Sequence, residues 1–517
     1  MRVDREGEWN SLNGQEQTRL PAQPVAQRAA RLPDLPPAQP TARLFRRHAL
    51  WVGLLTLSTA ALYAMFSLQQ HRHLRTSSYD SVIFDQAVRA YAHFHLPVVP
   101  VKGIHNDLGS SFVLLGDHFS PVLALLAPVY WVWNDVPALL VAQAVLFASS
   151  VPLVWIFVRR LLGAAPAYLV AAAYALAWGF QSALATDFHE IAFAVPLIAL
   201  ALERVQARRP EQAAVAAAAL LTVKEDFGPF VGVFGIYLAI CGWRRLGSAL
   251  GVGGIAAFYL TTKVLIPALG GHEFAYWSYG ALGPDLPSAL WHVARHPLDT
   301  LHLLTHPEVK QRTLRWLFAP WAFLPLLSPI VLLTLPVLAE RLTSTNWHYW
   351  STAFHYNAVL MPILAMGAVD GLARLIRMVP ALQFRPGARG LVGVVAGTAA
   401  LGVALAAVPQ FAFRTLLTRD EWTTTPAMRA AQDITALVPN GVTIEADSRL
   451  GPHLTRRTHV LLLDATSRGA PWVLIDVGTR YFPFDDVGQA RARFAALLTG
   501  GYRVVAAAGG FRLLQRP

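Results

Sequence analysis

The strongest constraint on this sequence is a succession of apolar stretches of about 20 residues, separated by short clusters of arginine. A helix rises about 1.5 Å per residue, so such a stretch crosses the hydrocarbon core of a bilayer once. Only 14% of the 517 residues are charged, against about 25% in soluble proteins. These features predict an α-helical polytopic membrane protein. The net charge of the chain is +12, which could suggest a nucleic-acid partner. The arginines, however, stand in short clusters between apolar stretches, as they do in the cytoplasmic loops of membrane proteins, so no nucleic-acid partner is expected.

The apolar stretches predict about 9–11 membrane spans. Arginines before the first span place the N-terminus in the cytoplasm, and parity then places the C-terminus outside. A turn at Gly228-Pro229 divides one stretch into a hairpin of two short helices, which we expect to line a polar cavity. The predicted segments are 48–68, 137–158, 163–181, 190–205, 211–223 with 228–242, 248–267, two short helices in the proline-rich stretch 314–341, 355–376 and 389–411.

Three regions follow from this pattern. Residues 1–45 are polar and without apolar periodicity, which predicts a disordered cytoplasmic tail. Residues 46–411 form the transmembrane domain, whose first outer loop spans 69–136 and begins with an amphipathic helix at 82–95. Residues 412–517 predict a small soluble α/β domain outside the membrane. Its expected helices are 424–437 and 486–498, and its expected strands are 441–446, 459–463, 472–476, 502–507 and 511–514.

Four polar groups fall on the outer face in this topology. Ionisable residues at membrane depth cost about 2.5–3.5 kcal/mol or more each, so they usually serve a cavity or a partner. Their grouping on one side predicts a polar cavity open to the outside. The groups are Asp80 with Asp85, Asp117 with His118, Asp187 with His189 and Glu190, and Lys224 with Glu225 and Asp226.

The carboxylates of the first group admit two interpretations. Asp80 suits the N-cap of the helix at 82–95, which leaves Asp85 as a solvated acid. Alternatively, either one is a general base or a metal ligand, because a carboxylate beside apolar walls can have its pKa raised towards neutrality.

The histidine-containing groups are also ambiguous. Asp117 and His118 can simply bridge a turn before Pro121. Asp187 and Glu190 are three residues apart and can share a helical face, so with the two histidines they could hold a divalent metal ion. The alternative is a buried, hydrogen-bonded histidine.

The remaining polar positions lie further along the chain. Lys224 either pairs with Glu225 and Asp226 or contacts a phosphate group, which suits a compact ammonium. The aromatic loop 274–291 either stacks on sugar rings or anchors the chain at the membrane interface. His355 and Tyr356 are expected at the outer edge of the last long span but one.

Several of these segments together resemble the DUF2079 family of bacterial polytopic membrane proteins. The resemblance covers roughly residues 48–375. It is carried by Tyr79-Asp80 with Phe84-Asp85-Gln86-Ala87, by Gly116 to Pro121, by Asp187 to Glu190, by Val223 to Asp226 and by His355-Tyr356.

That family in turn resembles the GT-C glycosyltransferases, which take a sugar from a polyprenyl-phosphate donor on the outer side of the membrane. Asp85-Gln86 is similar to the Asp-Glu motif of the first outer loop in those enzymes, where a carboxylate is the usual catalytic base. Gln86 departs from that motif, which puts a metal role at this position in doubt. His118-Phe119-Ser120-Pro121 resembles a later segment with a basic residue before proline.

The resemblance implies a GT-C-like glycosyltransferase in the bacterial plasma membrane, with a polyprenyl-phosphate-linked sugar and membrane lipid as partners. Asp85 is the expected base and Asp80 the second choice. The expected substrate-binding residues are Asp117, His118, Lys224, Glu225, Asp226, His355 and Tyr356, and the possible metal ligands are Asp187, His189 and Glu190. Two alternatives stay open, a transporter or flippase for a lipid or small polar solute and a non-catalytic membrane scaffold. A shallow outer site favours transfer, whereas a site at the membrane midplane favours transport.

Overall fold

Long apolar helices dominate the structure, a computed structural model that describes residues 47–272, 276–379 and 387–517. Six helices of this described part are long and apolar enough to cross a membrane. They are Ala49–Arg72, Val136–Leu162, Ala164–Leu184, Arg244–Gly270, His355–Met378 and Ala388–Gln410. Each lies within a few residues of a predicted span. The predicted tail at 1–45 and Phe274 of the aromatic loop lie outside the described residues.

Shorter helices occupy the remaining predicted segments. The stretch 190–205 forms the helix Ala194–Gln206, and the predicted hairpin forms Pro210–Ala219 and Phe227–Ile240. The proline-rich stretch 314–341 contains the end of the helix Glu308–Phe318 and most of the helix Thr334–Thr343, the two short helices expected there, with 3₁₀ turns between them at the prolines. The other α-helices are Ile83–Ala92, Pro100–His105, Ala127–Val132, Leu286–Arg295, Pro297–Thr305, Glu308–Phe318, Thr334–Thr343, Trp347–Trp350, Pro426–Ala436 and Val487–Thr499. The α-helical fold class with a small C-terminal α/β domain is therefore confirmed.

The membrane domain has two ends of different character. At one end, the loops that contain Asp80, His118, His189, Lys224 and His355 meet one another. At the other end, the helix termini carry arginine ion pairs: Arg160 with Glu203 connects two helices, and Arg374 pairs with Asp370 within one helix. The polar groups that the sequence assigns to one face therefore do converge. They lie at the ends of the helices, since Asp80 follows the long helix ending at Arg72 and His189 follows the one ending at Leu184.

The C-terminal domain contains a five-stranded mixed sheet. Its strands are β1 (Thr443–Ala446), β2 (His459–Leu462), β3 (Trp472–Asp476), β4 (Arg503–Ala508) and β5 (Phe511–Gln515), in the spatial order β2-β1-β3-β5-β4. β1 pairs in parallel with β2 and β3, whereas β5 runs antiparallel to β3 and β4. All five strands fall on the predicted β-rich runs; branched and aliphatic side chains are buried along most of β1, β2, β3 and β5, whereas the edge strand β4 is largely exposed.

This domain packs directly on the first outer loop. The carboxylate of Glu421 is 1% exposed and accepts hydrogen bonds from Arg75 and Gln70, at the end of the first long helix. Further along the loop, Gln86 donates to the carbonyl of Val460, and His105 contacts Asp464 at 2.8 Å. The C-terminal domain thus contacts residues 70–107 along most of their length and holds this segment in place.

Candidate active site

The turn that contains Asp80 is held through its backbone. Residues Ser78–Val82 form a π-helical turn that leads into the helix Ile83–Ala92. The N–H of Ser77 donates to the Asp187 carboxylate at 3.0 Å, and the N–H of Ser78 donates to the Ser448 carbonyl at 2.6 Å. Since the first N–H groups of a helical turn have no partner within it, these two acceptors fix the turn. Asp80 is therefore presented in a defined orientation.

The Asp80 carboxylate lies in a recess beside other ionisable groups. Its Oδ1 is 3.8 Å from Nε2 of His189, and 35% of its side chain is exposed. Protein atoms of the neighbouring loops nevertheless surround the carboxylate. This burial raises the pKa of Asp80 to about 6, with Lys102 opposing the rise and Glu190 adding to it. A carboxylate that is accessible and titrates near neutral pH is suited to general base catalysis.

Two stacked imidazoles form one wall of the recess. The rings of His189 and His355 lie 3.6 Å apart between centroids, at an interplanar angle of 25°. Burial and then the charge of Lys224 lower the pKa of His189 to about 3, which keeps this imidazole neutral at physiological pH. Asp80 therefore faces a polar but uncharged ring. A charged imidazolium would lower the pKa of the carboxylate, and the neutral imidazole does not.

A second wall comes from the loop that contains Asp117 and His118. Gly116 packs backbone to backbone on Gly270, where a side chain on either residue would overlap the other. The Asp117 carboxylate pairs with Lys102 and accepts a hydrogen bond from the Tyr276 hydroxyl. Burial alone would raise the pKa of Asp117, but His118 and Lys102 outweigh it and lower the pKa to about 2. Asp117 is thus a permanently ionised partner of Lys102 and not a proton acceptor.

His118 connects this loop to the turn of the short-helix hairpin. Its Nδ1 lies 2.6 Å from Oε1 of Glu225, and the other oxygen of Glu225 accepts the N–H of Phe119 at 2.9 Å. Burial lowers the pKa of His118, but the charges of Glu225 and Asp117 outweigh it and the net pKa is raised. Two of the polar groups expected to converge, those of His118 and Glu225, are therefore joined by an ion pair whose carboxylate is fully buried.

Lys224 projects from the same turn towards the recess. Its ammonium is 3.4 Å from Asp226 and 3.8 Å from Glu190. Burial would lower the pKa of Lys224, but the surrounding carboxylates outweigh it and raise the pKa well above its usual value. Both ion pairs are long, so the ammonium is a fixed positive charge that is not tightly bound to either acid.

Arg341 is a site residue that the sequence analysis did not identify. It is 3% exposed, and its Nε donates to the Tyr349 carbonyl at 2.7 Å. Its Nη1 and Nη2 have no hydrogen-bond partner among the described residues. The guanidinium lies 5.9 Å from the centre of the Tyr356 ring, and its charge contributes to the electrostatic environment of His355. A buried guanidinium with two unfilled donor groups is arranged for an anion.

The structure does not bring Asp85 into this cluster. The Asp85 side chain is fully buried and accepts hydrogen bonds from Arg89 at 2.6 Å, Tyr130 at 2.8 Å and Thr455 at 2.7 Å. With three donors and no exposure, it has no access to a substrate hydroxyl. The geometry therefore favours Asp80, the second choice of the sequence analysis, as the base, and makes Asp85 a connection between the first loop and the C-terminal domain.

The three expected metal ligands point to different partners. Asp187 accepts the N–H of Ser77, His189 faces Asp80, and Glu190 faces Lys224. Across the described ranges, no three His, Cys, Asp or Glu side chains are grouped as a metal site would require. The predicted set Asp187, His189 and Glu190 thus does not form a ligand shell, because each side chain already has a polar neighbour of its own.

The remaining predicted residues lie at the rim of the recess. Tyr356 packs against Tyr349, with ring centroids 4.8 Å apart, and its neighbour His355 stacks on His189. Tyr276 of the aromatic loop stacks on His118 at 4.5 Å. This tyrosine therefore has a fixed place in the site, whereas Trp291 is 62% exposed, as an interfacial anchor would be.

Replacing Gly451 by alanine tests whether the C-terminal domain positions Asp80. A Cβ at this position would overlap the Ser78 hydroxyl, which donates to the Ser448 carbonyl at 3.0 Å. We expect about 1–3 kcal/mol of destabilisation, typical of overpacking, measured by thermal unfolding of the purified protein. Gly441→Ala is not a suitable control because φ is +75° there, so Leu498→Ala, at a 42% exposed position, serves instead. Unchanged stability in Gly451→Ala would show that this contact does not hold the turn.

Comparisons with known proteins agree with this description. The family model described as "Predicted membrane protein (DUF2079)" matches residues 70–513. The crystal structure of ArnT from Cupriavidus metallidurans in the apo state aligns with a TM-score of 0.50 at 13% identity, covering 90% of this chain and 98% of that one. ArnT bound to undecaprenyl phosphate gives a TM-score of 0.49 at 13% identity, covering 90% and 97%. No curated protein matches the sequence.

Proposed function

The chain belongs to the DUF2079 family of predicted membrane proteins, and from this premise and the apo ArnT-like fold we propose that it is a membrane glycosyltransferase. The donor would be a sugar linked to a polyprenyl phosphate, and the acceptor a hydroxyl group presented at the same end of the helices. The observation that carries the proposal is Asp80, a partly exposed carboxylate with a pKa near 6, beside buried cations.

Each group of the recess has a place in such a reaction. Asp80 accepts the proton of the acceptor hydroxyl as the oxygen bonds to the anomeric carbon of the sugar. The bond between that carbon and the phosphate oxygen breaks, and the phosphate leaves with the electron pair. Lys224 and Arg341 stabilise the negative charge that develops on this leaving group, an effect that fixed charges supply strongly in a site shielded from water.

We assign the phosphate of the sugar donor to Arg341 because two nitrogens of this guanidinium have N–H groups without a hydrogen-bond acceptor among the described residues. A buried guanidinium normally pairs with an anion, because an unpaired buried charge is costly. Tyr349 supplies one acceptor, and the two terminal nitrogens have none among the described residues. The two oxygens of a phosphate monoanion match this planar pair of donors. Lys224, also in the recess, provides a second positive charge.

The position of the site favours transfer over transport. The recess lies where the long helices end and the C-terminal domain begins, not halfway along them. The opposite helix ends carry the arginine pairs, and such clusters favour the cytoplasm. We therefore place the recess and the C-terminal domain outside the plasma membrane, with the donor entering laterally from the outer leaflet. The C-terminal domain, fixed beside Asp80, would then take part in binding the acceptor.

Binding of undecaprenyl phosphate to the purified protein tests this proposal. We expect wild-type protein in detergent to retain this lipid in native mass spectrometry, and Arg341→Ala to bind it about 10–100-fold more weakly, since a hydrogen bond to a charged group contributes about 1.5–3 kcal/mol. Lys224→Ala should weaken binding in the same direction.

Arg456→Ala is the matched control, because this side chain is 67% exposed and contacts none of the recess residues named above. Its affinity for undecaprenyl phosphate should equal that of the wild type. Equal affinity in Arg341→Ala would remove this residue from the donor site, and no binding by any form would contradict the proposed donor.

A further inference from the structure

A groove at the end of the membrane domain opposite the recess has no role in the proposed reaction. It lies between the antiparallel helices Ala194–Gln206 and Pro210–Ala219 and forms an open cavity of about 500 Å³. Leu197, Leu200 and Val215 line its length, while Arg204, Glu211 and Gln212 lie together at one end. The volume falls within the range of small-molecule sites. The groove is thus an apolar channel with a polar mouth.

The polar mouth lies at the level where the neighbouring span ends. Arg160, at the end of the helix Val136–Leu162, pairs with Glu203 at 2.6 Å and donates to Gln206 at 3.0 Å. Arg204 pairs with the same Glu203 carboxylate. Because the span ends here, the mouth sits at headgroup depth, and the apolar part extends from there towards the middle of the bilayer.

The charge around the mouth is strongly positive. The helix ends that meet at this level, 159–162 and 203–212, contain five arginines and two glutamates. Arg204 uses one N–H for Glu203 and donates another to Gln212 at 3.2 Å, out of the five N–H groups of a guanidinium. Further donors are therefore available to an anionic oxygen.

The open side of the groove faces the region that lipid occupies. Val215 is 71% exposed although it lies beside buried helices of the membrane domain. An apolar side chain exposed at this depth contacts acyl chains in a bilayer. The chemistry of the occupant follows from the two ends: a hydrocarbon chain against the leucines and valine, and a negative charge at Arg204.

We propose that this groove binds one acyl chain of an anionic phospholipid from the leaflet on the arginine-rich side, with the lipid phosphate at Arg204. Juxtamembrane arginines attract anionic headgroups, and the apolar channel adds a fixed place for the chain. The bound lipid would stabilise the packing of these two helices against each other. Their opposite ends are followed or preceded in the chain by Lys224 and Glu190, which lie in the recess.

Retention of phosphatidylglycerol tests the proposal. Full-length protein is reconstituted in nanodiscs with equal parts of phosphatidylglycerol and phosphatidylcholine, released, and examined by native mass spectrometry for bound lipid. We expect selective retention of phosphatidylglycerol by the wild type and about fivefold less by Arg204→Ala, the effect of one basic residue near an anionic surface. Arg245→Ala, an exposed arginine at the start of the helix Arg244–Leu260, should retain it like the wild type.

A second variant keeps the test independent of the charge network at Glu203. Val215→Trp fills the groove from its exposed side, where the fold tolerates a larger ring, and should abolish retention of phosphatidylglycerol. Equal retention of both lipids by the wild type, or unchanged retention in Val215→Trp, would overturn the proposal. Loss of undecaprenyl phosphate instead of phosphatidylglycerol in Val215→Trp would also overturn it and identify the groove as a channel for the polyprenyl tail.

Discussion

Asp80→Asn is expected to lower the rate of glycosyl transfer by about 10²–10⁴-fold, the usual contribution of a general base. The amide keeps the size of the side chain but cannot accept the proton of the acceptor hydroxyl. Because burial raises the pKa of Asp80 to about 6, the carboxylate opposes folding above that pH. The variant should therefore unfold at the same temperature as the wild type or higher at neutral pH, which separates a catalytic from a structural loss.

The pH profile of the wild type supplies an independent measurement. Only the ionised form of Asp80 can act as the base, so transfer should decline as the pH falls through about 6. Asp107→Asn is the matched control, since this acid lies in the same loop and its side chain is 85% exposed. Its activity should stay near the wild-type level. Full activity in Asp80→Asn, or a profile flat across pH 6, would exclude Asp80 as the base.

Asp85→Ala is expected to destabilise the protein by about 3–5 kcal/mol, the usual effect of removing one partner from a buried ion pair. The substitution leaves Arg89, Tyr130 and Thr455 without their common acceptor. Arg89 and Tyr130 come from the two ends of the first outer loop and Thr455 from the C-terminal domain, so their separation should also loosen the domain. Thermal unfolding in detergent, followed by proteolysis of the C-terminal domain, measures both effects.

Asp85→Asn provides the comparison for this prediction. The amide retains one acceptor and the volume of the side chain, so its loss of stability should be smaller than that of Asp85→Ala. Transfer activity in surviving folded protein should persist in both variants. A folded Asp85→Asn protein of normal stability without any transfer would restore Asp85 as the base.

The sequence predicted the helices well because their signal is local. Hydropathy over about 20 residues and arginines at helix ends determine where a span begins and ends, and the observed bounds agree within a few residues. The β-rich runs after residue 441 were equally local. The topology placed the polar groups on one face, whereas the individual pairs, His118 with Glu225 and Lys224 with Glu190, are visible only in the structure.

The choice between Asp80 and Asp85 could not be predicted in the same way. The two residues are close in sequence, and what separates them is the burial of Asp85 under donors that include Tyr130, 45 residues away, and Thr455, 370 residues away. No periodicity records such a contact. Arg341 was overlooked because it lies in a proline-rich apolar stretch beside Glu340, where an adjacent acid suggests a simple ion pair. An arginine in an otherwise apolar segment, without the cluster of arginines typical of a cytoplasmic loop, was the available signal.

The contact between Ser78 and Ser448 also determines at which stage of folding the recess around Asp80 can be completed. The two residues are 370 positions apart, so the ribosome releases the partner of the Asp80 turn only after all six long apolar helices of the described part. Pairings of such separation form late and slowly. A chain whose long helices are in place but whose C-terminal sheet domain has not yet folded therefore holds an incomplete recess, because the acceptor for the N–H of Ser78 is missing.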